Sequence, residues 1–228
     1  MQIDVFTIFP ALIENFAKES VLGRAEKRGL LHINCHDLRD GASGNHLSVD
    51  DSPFGGGAGM VLKPEPIFKV VERVNPSRPL FLLSPTGSVF NQAKAVEFSK
   101  LKGFSLICGR YEGVDQRVKD HLIDGEISVG DFILSGGEVA ALLIIESVTR
   151  LIPGVMGNNE SSEEESFSDG LLEYPQYTRP WDFRELTPPD ILRSGDHEKK
   201  KQWRKAMSLK LTIEKSTELV EARGGRTA

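Results

Sequence analysis

Residues 104–113 read FSLICGRYEG, an apolar run that passes directly into a loop with two glycines. Residues 79–84 read PLFLLS and have the same character. Runs that are apolar on both faces are typical of strands in a parallel sheet, because helices cover both sides of such a sheet. The two runs therefore predict buried strands of an α/β domain.

The segments around these runs alternate between two patterns. Strand-like patterns occupy residues 3–8, 31–35 and 126–129, and helical patterns occupy residues 11–28, 65–74, 92–101 and 138–151. This alternation predicts a mainly parallel sheet with helices packed against it. The helix at 138–151 is apolar nearly all round, so we expect it to be deeply buried. A long irregular stretch at 39–59 has the length of a functional or mobile loop.

Composition divides the chain into three parts. The α/β domain is predicted to occupy residues 1–156, because residues 157–168 have the Asn-, Ser- and Glu-rich composition of a mobile linker. Residues 169–228 contain four prolines and then a helix that Asp196 is placed to cap. We therefore expect a small C-terminal helical domain there.

Composition also narrows the class of protein. The 228 residues are 39% hydrophobic and 27% charged, which is ordinary for a protein with a substantial core. The longest apolar run, residues 139–145, is far shorter than the ~20 residues of a membrane helix. Cys35 and Cys108 lie in apolar segments and indicate buried free thiols, which suit a reducing compartment. We expect a cytoplasmic protein that is not associated with a membrane.

Charge is unevenly distributed along the chain. The formal net charge is -5, which argues against a protein that binds nucleic acid by charge alone. Residues 193–228, however, include ten Lys and Arg residues against five Asp and Glu residues, so this tail is positive. The tail is either an appendage that binds a polyanion or the solvated face of a helix, and charge alone favours the second.

Three glycine-bearing loops follow predicted strands, at residues 84–87, 108–113 and 129–138. Ligands of open α/β sheets bind beyond the carboxyl ends of the strands, so the three loops together predict one binding crevice. A fourth loop at 54–60 is equally consistent with a flexible surface loop and with close backbone approach to a ligand or partner subunit.

Missing motifs restrict the ligand. Neither G-x-G-x-x-G nor G-x-x-x-x-G-K-[ST] occurs, which removes support for a dinucleotide site and for a P-loop kinase or ATPase. The histidines are scattered, the cysteines lack zinc-ligand spacing, and no serine occupies a G-x-S-x-G elbow. The remaining possibility is a site built mostly of backbone groups, which suits a small adenine-bearing ligand.

Longer motifs occur in a fixed order. They are VDD at 49–51 with GGGAGM at 55–60, LSPTG at 83–87, CGRYEGVD at 108–115, SVGD at 128–131 with LSGGE at 134–138, Arg150 with IPGV at 152–155, and GLL at 170–172 with YPQYTRP at 174–180. In this order they resemble the bacterial tRNA (guanine-37-N1)-methyltransferases, a branch of the SPOUT family. The similarity extends from residue 3 to about residue 209.

The resemblance implies a deep trefoil knot in the α/β domain and a homodimer with composite active sites at the subunit interface. It implies S-adenosylmethionine as cofactor, bound by Leu83, Ser84, Pro85, Gly109, Val129, Gly130, Asp131, Phe132, Ile133, Leu134, Gly136 and Gly137. It also implies that the C-terminal domain helps to hold the anticodon arm of tRNA, which gives the basic tail a role. The substrate-binding residues would be Asp50, Gly59, Glu112, Lys199 and Arg204.

The chemistry of the implied reaction requires a base and a positive charge. Guanine N1 is protonated at neutral pH, and negative charge develops toward O6 when the proton leaves. By motif position, the resemblance assigns the positive charge to Arg150. It assigns the base to Glu165, in a Glu-Ser-Phe motif where the family usually has Asp. Asp169 is a rival base outside the motif, and without the resemblance residues 163–165 would be a solvated acidic linker.

The resemblance also implies Mg²⁺ for activity. No dedicated cluster of oxygen ligands is visible in the sequence, so no residue is predicted as a metal ligand outright. Asp50, Glu112 and Glu165 would each supply a carboxylate to an ion held by few protein groups.

Two other functions stay open. One is a non-enzymatic RNA-binding module, in which Trp203 and Tyr177 stack on bases. The other is a knotted methyltransferase that acts on a ribose 2′-hydroxyl or on ribosomal RNA. Binding of S-adenosylmethionine without RNA would exclude the first, and mapping of the methylated atom would decide the second.

Overall fold

The computed structural model describes residues 1–44, 47–157 and 171–215. The chain divides into two compact units, with the boundary after Gly157. Most of the linker predicted at 157–168 lies outside the described residues. Across the described ranges, no helix has both the length and the apolar character needed to span a membrane.

The first unit is built on a five-stranded sheet in which every pair of neighbouring strands is parallel. Its strands are β1 (Gln2–Thr7), β2 (His32–Asp37), β5 (Leu80–Val89), β6 (Gly103–Cys108) and β7 (Gly125–Ser128), in the order β2-β1-β6-β5-β7. The prediction of a mainly parallel sheet is confirmed. A separate antiparallel ribbon pairs β3 (Asp50–Asp51) with β4 (Val61–Leu62).

Helices cover both faces of this sheet. They are α1 (Pro10–Ala17), α2 (Ser20–Lys27), α3 (Pro64–Val74), α4 (Gln92–Ser99), α5 (Gln116–His121) and α6 (Glu138–Thr149). Side chains of α1, α2, α4 and α6 form one core, and those of α3 and α5 form the other. On the central strand β6, Leu106 packs into the first core and Ile107 into the second. This explains why the run at 104–108 is apolar on both faces.

The sequence predicted that β5 ends at Ser84-Pro85, but the strand continues to Val89. Leu83 and Ser88 both pair with Ile127 on β7, so residues 84–87 form a bulge inside the strand. Pairing with β7 resumes after the bulge, where Val89 pairs with Ser128. The predicted loop is therefore a β5 bulge, and it lies at the level where β6 ends, since Leu83 pairs with Cys108.

α6 is only partly buried, contrary to the prediction. One side of the helix faces the core, but Val139 and Leu143 are 61% and 44% exposed. Helix α1 packs against α6, and three apolar side chains on or next to α1, those of Phe9, Leu12 and Phe16, are also exposed. We call these five side chains the α1/α6 apolar surface. An all-apolar pattern does not distinguish a helix inside a core from one that faces another molecule.

The second unit contains a short 3-10 helix, Asp190–Arg193, and the longer helix α7 (His197–Lys215). Asp196 caps α7 as predicted, because its Oδ1 accepts a hydrogen bond of 3.0 Å from Lys199 N. The helical character expected for this part of the chain is therefore present in α7.

Candidate active site

The loops after β6 and β7 meet the β5 bulge at a cleft with a volume of about 1010 Å³. The cleft lies at the carboxyl ends of the strands, as expected for an open α/β sheet. All of the predicted cofactor-binding residues except Asp131 line it. These are Leu83, Ser84, Pro85, Gly109, Val129, Gly130, Phe132, Ile133, Leu134, Gly136 and Gly137.

Gly136 and Gly137 lie where the backbone passes very close to neighbouring groups. A Cβ at Gly136 would be 2.1 Å from Arg110 Nε, and a Cβ at Gly137 would be 2.8 Å from Cys108 Cα. Gly137 N also donates a hydrogen bond of 2.9 Å to Gly109 O. The loop after β7 is thus held against the loop after β6, at a distance that only glycine permits.

Glu138, the first residue of α6, directly follows the cleft-lining Gly137 and is a buried carboxylate, only 1% exposed. Thr7 Oγ1 donates to it at 2.7 Å, and the Nε and Nη2 of Arg110 each lie 3.0 Å from Glu138 Oε2. The Arg110 guanidinium also covers the ring of Phe9 at 4.5 Å. Burial of a carboxylate is costly unless it is hydrogen-bonded, so these donors allow Glu138 to join β1, α6 and the loop after β6.

Glu126 on β7 supports the β5 bulge. Its Oε2 accepts hydrogen bonds from Thr86 Oγ1 at 2.7 Å and from Lys119 Nζ at 2.9 Å. Burial raises the pKa of Glu126, but the hydrogen bonds from Lys119 and Thr86 and the charge of Lys119 outweigh burial, and the net pKa is lower than usual for Glu. Ser84, Thr86 and Lys119 all line the cleft.

Two of the predicted substrate-binding residues lie together at the rim of the cleft. A Cβ at Gly59 would be only 2.5 Å from Glu112 Cγ, and Glu112 lines the cleft. Asp50 lies on β3, next to the lining residue Asp51, but does not line the cleft itself. The structure therefore brings Gly59 and Glu112 together. Asp50 does not line the cleft, but it directly precedes the lining residue Asp51 in sequence.

Arg150 lies away from the cleft of its own chain. It directly follows α6, whereas the cleft-lining Gly137 directly precedes this helix. The 12 residues of α6 separate the two positions by about 18 Å at 1.5 Å per residue. Arg150 is accordingly not among the lining residues. The predicted base Glu165 and its rival Asp169 lie outside the described residues.

The other two predicted substrate-binding residues belong to α7 in the second unit. Lys199 Nζ lies 3.2 Å from Asp196 Oδ2, and its side chain is largely exposed. The Arg204 guanidinium covers the ring of Tyr174 at 4.9 Å. Most of the basic residues counted in the tail are on this helix.

Arg110, Glu126 and Lys119, which hold the loops around the cleft, were not among the predicted site residues. Arg110 directly follows Gly109 in a glycine-bearing loop, so its position in the sequence could have identified it as a site residue. Glu126 and Lys119 offer no such signal, because Glu126 is 40 residues from Thr86 in sequence. Only the pairing of β5 with β7 brings them together.

A parallel sheet with helices on both faces and glycine-bearing loops around a cleft at its carboxyl edge is the architecture of the α/β proteins that bind small ligands at this edge. Comparison with known proteins shows to which family within this class the chain belongs. The family model described as tRNA (Guanine-1)-methyltransferase TrmD matches residues 1–222. The chain therefore belongs to this family, and the resemblance found in the sequence is confirmed.

Individual relatives agree with the family match. A tRNA (guanine-N(1)-)-methyltransferase of Dictyoglomus turgidum is 50% identical over 222 residues, which are 97% of this chain and 90% of the relative. Proteins of the same name from Geobacter sp. (strain M21) and Geobacillus kaustophilus are 49% and 48% identical over 224 residues, which are 97% of this chain and 90% and 92% of the relatives. The similarity thus extends over both units.

Proposed function

We propose that this chain methylates N1 of guanine 37 in tRNA, next to the anticodon, with S-adenosylmethionine as the methyl donor. The observation behind this proposal is the family match over residues 1–222, which includes every loop of the cleft and the whole of α7. The relatives are named as methyltransferases that act on guanine N1 of tRNA. We expect the reaction to take place in the cytoplasm.

The cleft suits this methyl donor in size and in the groups that line it. Its volume of about 1010 Å³ is at the upper end of the ~300–1,000 Å³ typical of small-molecule sites. Leu83 and Leu134 supply apolar lining, and the glycine backbone at Gly136 and Gly137 leaves room for close approach. When bound, S-adenosylmethionine supplies a methyl group on a positively charged sulfur. The chain must then hold guanine N1 in line with that methyl group.

Two side chains are proposed to act on the guanine. Glu165 is the base that removes the N1 proton, and Arg150 is the guanidinium that stabilises negative charge at O6. Glu165 is one methylene longer than the Asp usual in its motif. The reference pKa of Glu, about 4.3, is close to the ~3.9 of Asp, so either carboxylate is suited to accept the proton.

A homodimer with composite active sites is proposed, in which the cleft of one copy receives Arg150 of the other. The separation of about 18 Å between Gly137 and Arg150 along α6 supports this arrangement, since the helix holds the two residues apart within one chain. The α1/α6 apolar surface supports it as well, because exposed apolar patches of this kind mark contact surfaces. In a two-fold dimer this surface would pack against its own copy.

A trefoil knot in the first unit is proposed from the path of the chain after β7. β7 is at the edge of the sheet beside β5, yet the following segment returns to the loop after β6, where Gly136 pairs with Arg110. α6 then packs against β1 and β6, on the far side of β5. Such a return path is what threading through the preceding loops requires.

The second unit is proposed to hold the anticodon arm through α7, with Lys199 and Arg204 as contacts to RNA. The proposed contacts to the target guanine and its neighbours are Asp50, Gly59 and Glu112. All five assignments rest on the family pattern. The exposed charge of Lys199 and the position of Glu112 in the cleft support two of them.

The described residues do not fit a dedicated Mg²⁺ site. Within these ranges, no group of three or more His, Cys, Asp or Glu side chains is placed to hold a metal ion. Of the two described carboxylates considered for this role, Glu112 lines the cleft and Asp50 does not. We therefore derive no catalytic step through Mg²⁺.

Mapping of the methylated atom tests the proposed function. The pure protein should form N1-methylguanine at position 37 of a tRNA transcript with G37, and should leave a transcript with A37 unmodified, as measured by mass spectrometry. Methylation of a ribose hydroxyl or of ribosomal RNA alone would identify a different knotted methyltransferase. RNA binding without calorimetric binding of S-adenosylmethionine would identify a non-enzymatic module. Either result would overturn the proposal.

A further inference from the structure

Two hydroxyl groups of the β5 bulge form a hydrogen-bonded chain that ends on Glu126. Ser84 Oγ lies 2.7 Å from Thr86 Oγ1, which in turn lies 2.7 Å from Glu126 Oε2. Lys119 Nζ lies 2.9 Å from the same carboxylate oxygen and 3.5 Å from Thr86 Oγ1. Ser84, Thr86 and Lys119 line the cleft, whereas Glu126 does not. Glu126 therefore reaches the cleft only through other side chains.

The direction of each hydrogen bond in this chain follows from the number of protons available. An ionised carboxylate only accepts, an ammonium only donates, and a hydroxyl has one proton to donate. The lowered pKa of Glu126 keeps its carboxylate ionised at neutral pH, so Thr86 must donate its one proton to Glu126. The proton between the two hydroxyls must then come from Ser84.

Ser84 Oγ consequently has no proton left for a ligand. One of its two lone pairs accepts a long hydrogen bond of 3.3 Å from Thr86 N, and the other remains for a donor in the cleft. A ligand N–H or O–H group at this point would be bound, and a ligand acceptor would meet an opposing lone pair.

We propose that Glu126 is a positioning residue that fixes Ser84 as a hydrogen-bond acceptor for an N–H or O–H group of the methyl donor. The proposal rests on the proposed function, since it assumes that S-adenosylmethionine occupies the cleft. The uncharged donor groups available on this cofactor are the ribose hydroxyls and the adenine amine. Lys119 balances the charge of Glu126, so the network selects the ligand by hydrogen-bond direction and not by charge.

A purely structural role for Glu126 makes a different prediction. If Glu126 only stabilised the bulge, its loss would weaken all ligands by the same factor. If it fixes the direction of the Ser84 hydroxyl, its loss frees the proton of Thr86 and then that of Ser84. Ser84 would then donate to an acceptor as readily as it accepts from a donor. The ratio of two dissociation constants therefore separates the two roles.

The experiment measures this ratio by calorimetry with S-adenosylhomocysteine and with analogues in which one donor is replaced by an acceptor. Suitable replacements are fluorine for the 2′- or 3′-hydroxyl and oxygen for the adenine amine. In the unmodified protein we expect one analogue to bind roughly tenfold more weakly than S-adenosylhomocysteine, the effect of one unfavourable polar contact. Glu126→Leu and Ser84→Ala should bring that ratio to within about threefold of one.

Two further variants complete the test. Thr86→Val keeps the shape of an exposed side chain, removes the connecting hydroxyl, and should lower the ratio as Glu126→Leu does, even where Glu126→Leu folds poorly. Asp124→Asn is the matched control, because Asp124 accepts hydrogen bonds from Arg78 and from Leu80 N at the other end of the same strand pair. It should leave the ratio unchanged.

A ratio that stays the same in Glu126→Leu and Thr86→Val for every analogue would overturn the inference. The same conclusion would follow if no analogue were discriminated by the unmodified protein. A failure of the unmodified protein to bind S-adenosylhomocysteine at all would instead overturn the proposed function, so the two failures are distinguishable.

Discussion

Among single residues, Arg150 has a proposed role that its place in the fold makes testable. Arg150→Ala should lower the rate of methyl transfer by roughly 10²–10³, the usual loss for one donor to a developing negative charge. Affinity for S-adenosylhomocysteine should be unchanged, because Arg150 is proposed to contact O6 of the guanine and not the cofactor. Single-turnover kinetics and calorimetry measure the two quantities. Weaker cofactor binding with normal single-turnover chemistry would contradict this role.

Glu165 departs from the residue usual in its motif, and its role can be tested against a nearby carboxylate. Glu165→Gln should fold, dimerise and bind both ligands but lose about 10² in the methyl-transfer step, because the base is absent. Glu165→Asp should have an intermediate rate, since the carboxylate remains but its reach is shorter. Asp169→Asn is the control and should have a mild effect. The opposite pattern, with Asp169→Asn inactive and Glu165→Gln normal, would make Asp169 the base.

Cys35 should be nearly unreactive in the folded protein. Burial, together with the charges of Glu14 and Glu26, raises its pKa to about 12, so the neutral thiol is favoured. At pH 8 only about one molecule in 10⁴ would have the reactive thiolate, and this fraction should rise about tenfold per pH unit until the pKa is reached. Alkylation by iodoacetamide, followed by peptide mass spectrometry, measures the rate. Equal rates in folded and urea-unfolded protein would refute the prediction.

At the scale of secondary-structure elements, the contact between the loops after β6 and β7 depends on glycine at one position more than at another. Gly137→Ala would place a Cβ 2.8 Å from Cys108 Cα, whereas the nearest atom to a Cβ at Gly109 is Leu83 O at 3.4 Å. We expect Gly137→Ala to lower the free energy of unfolding by about 1–3 kcal/mol, because the backbone must move. Gly109→Ala is the matched control and should keep its stability. Equal losses in denaturant unfolding would contradict this distinction.

The sequence predicted those strands and helices whose hydrophobic pattern has a single structural explanation. The apolar runs of β5 and β6 reflect burial on both faces of a parallel sheet, and both were identified. The β5 bulge was not predicted, because residues 84–87 have the composition of a loop and their pairing depends on β7, which is distant in sequence. The short helix α5 was also missed, since its six residues include a single buried side chain, Val118.

The same reasoning explains what could be predicted of the candidate site. Its glycine-bearing loops were identified because each directly follows a strand, and the topology of the sheet brings them to one cleft. Glu126 and Lys119 were not identified, because the strand order that places them beside Thr86 is not visible in any local pattern. The exposure of Val139 and Leu143 was missed for a related reason, since an apolar side chain fits a core and an interface equally well.

At the scale of the whole molecule, composite active sites predict that two inactive variants restore activity together. Gly109→Val adds methyl groups to the lining of the cleft, and Arg150→Ala removes the guanidinium. A mixed dimer has one site in which an intact cleft meets an intact Arg150. After selection for both subunits, each dimer has one functional site of two, so roughly half of the unmodified activity should return. Co-expression with two affinity tags and assay of the doubly selected protein provides the measurement.

Each variant expressed alone is the control for this experiment and should stay inactive. No recovery in the mixed dimer would mean that Arg150 acts within its own chain. A catalytically active species of about 25.2 kDa in sedimentation would exclude the composite site altogether.

The hydrogen bond from Thr7 to Glu138 joins groups 131 residues apart in sequence, and this distance matters while the protein is being made. β1 can pair with β2 soon after both leave the ribosome, but its other edge must wait for β6. At ~5–20 residues per second, Glu138 is translated roughly 7–26 s after Thr7. For most of that interval the nascent chain exposes an unpaired edge of an apolar strand, a hazard for aggregation and a target for chaperones. The first unit therefore closes late in translation, when the residues that complete its cleft have been made.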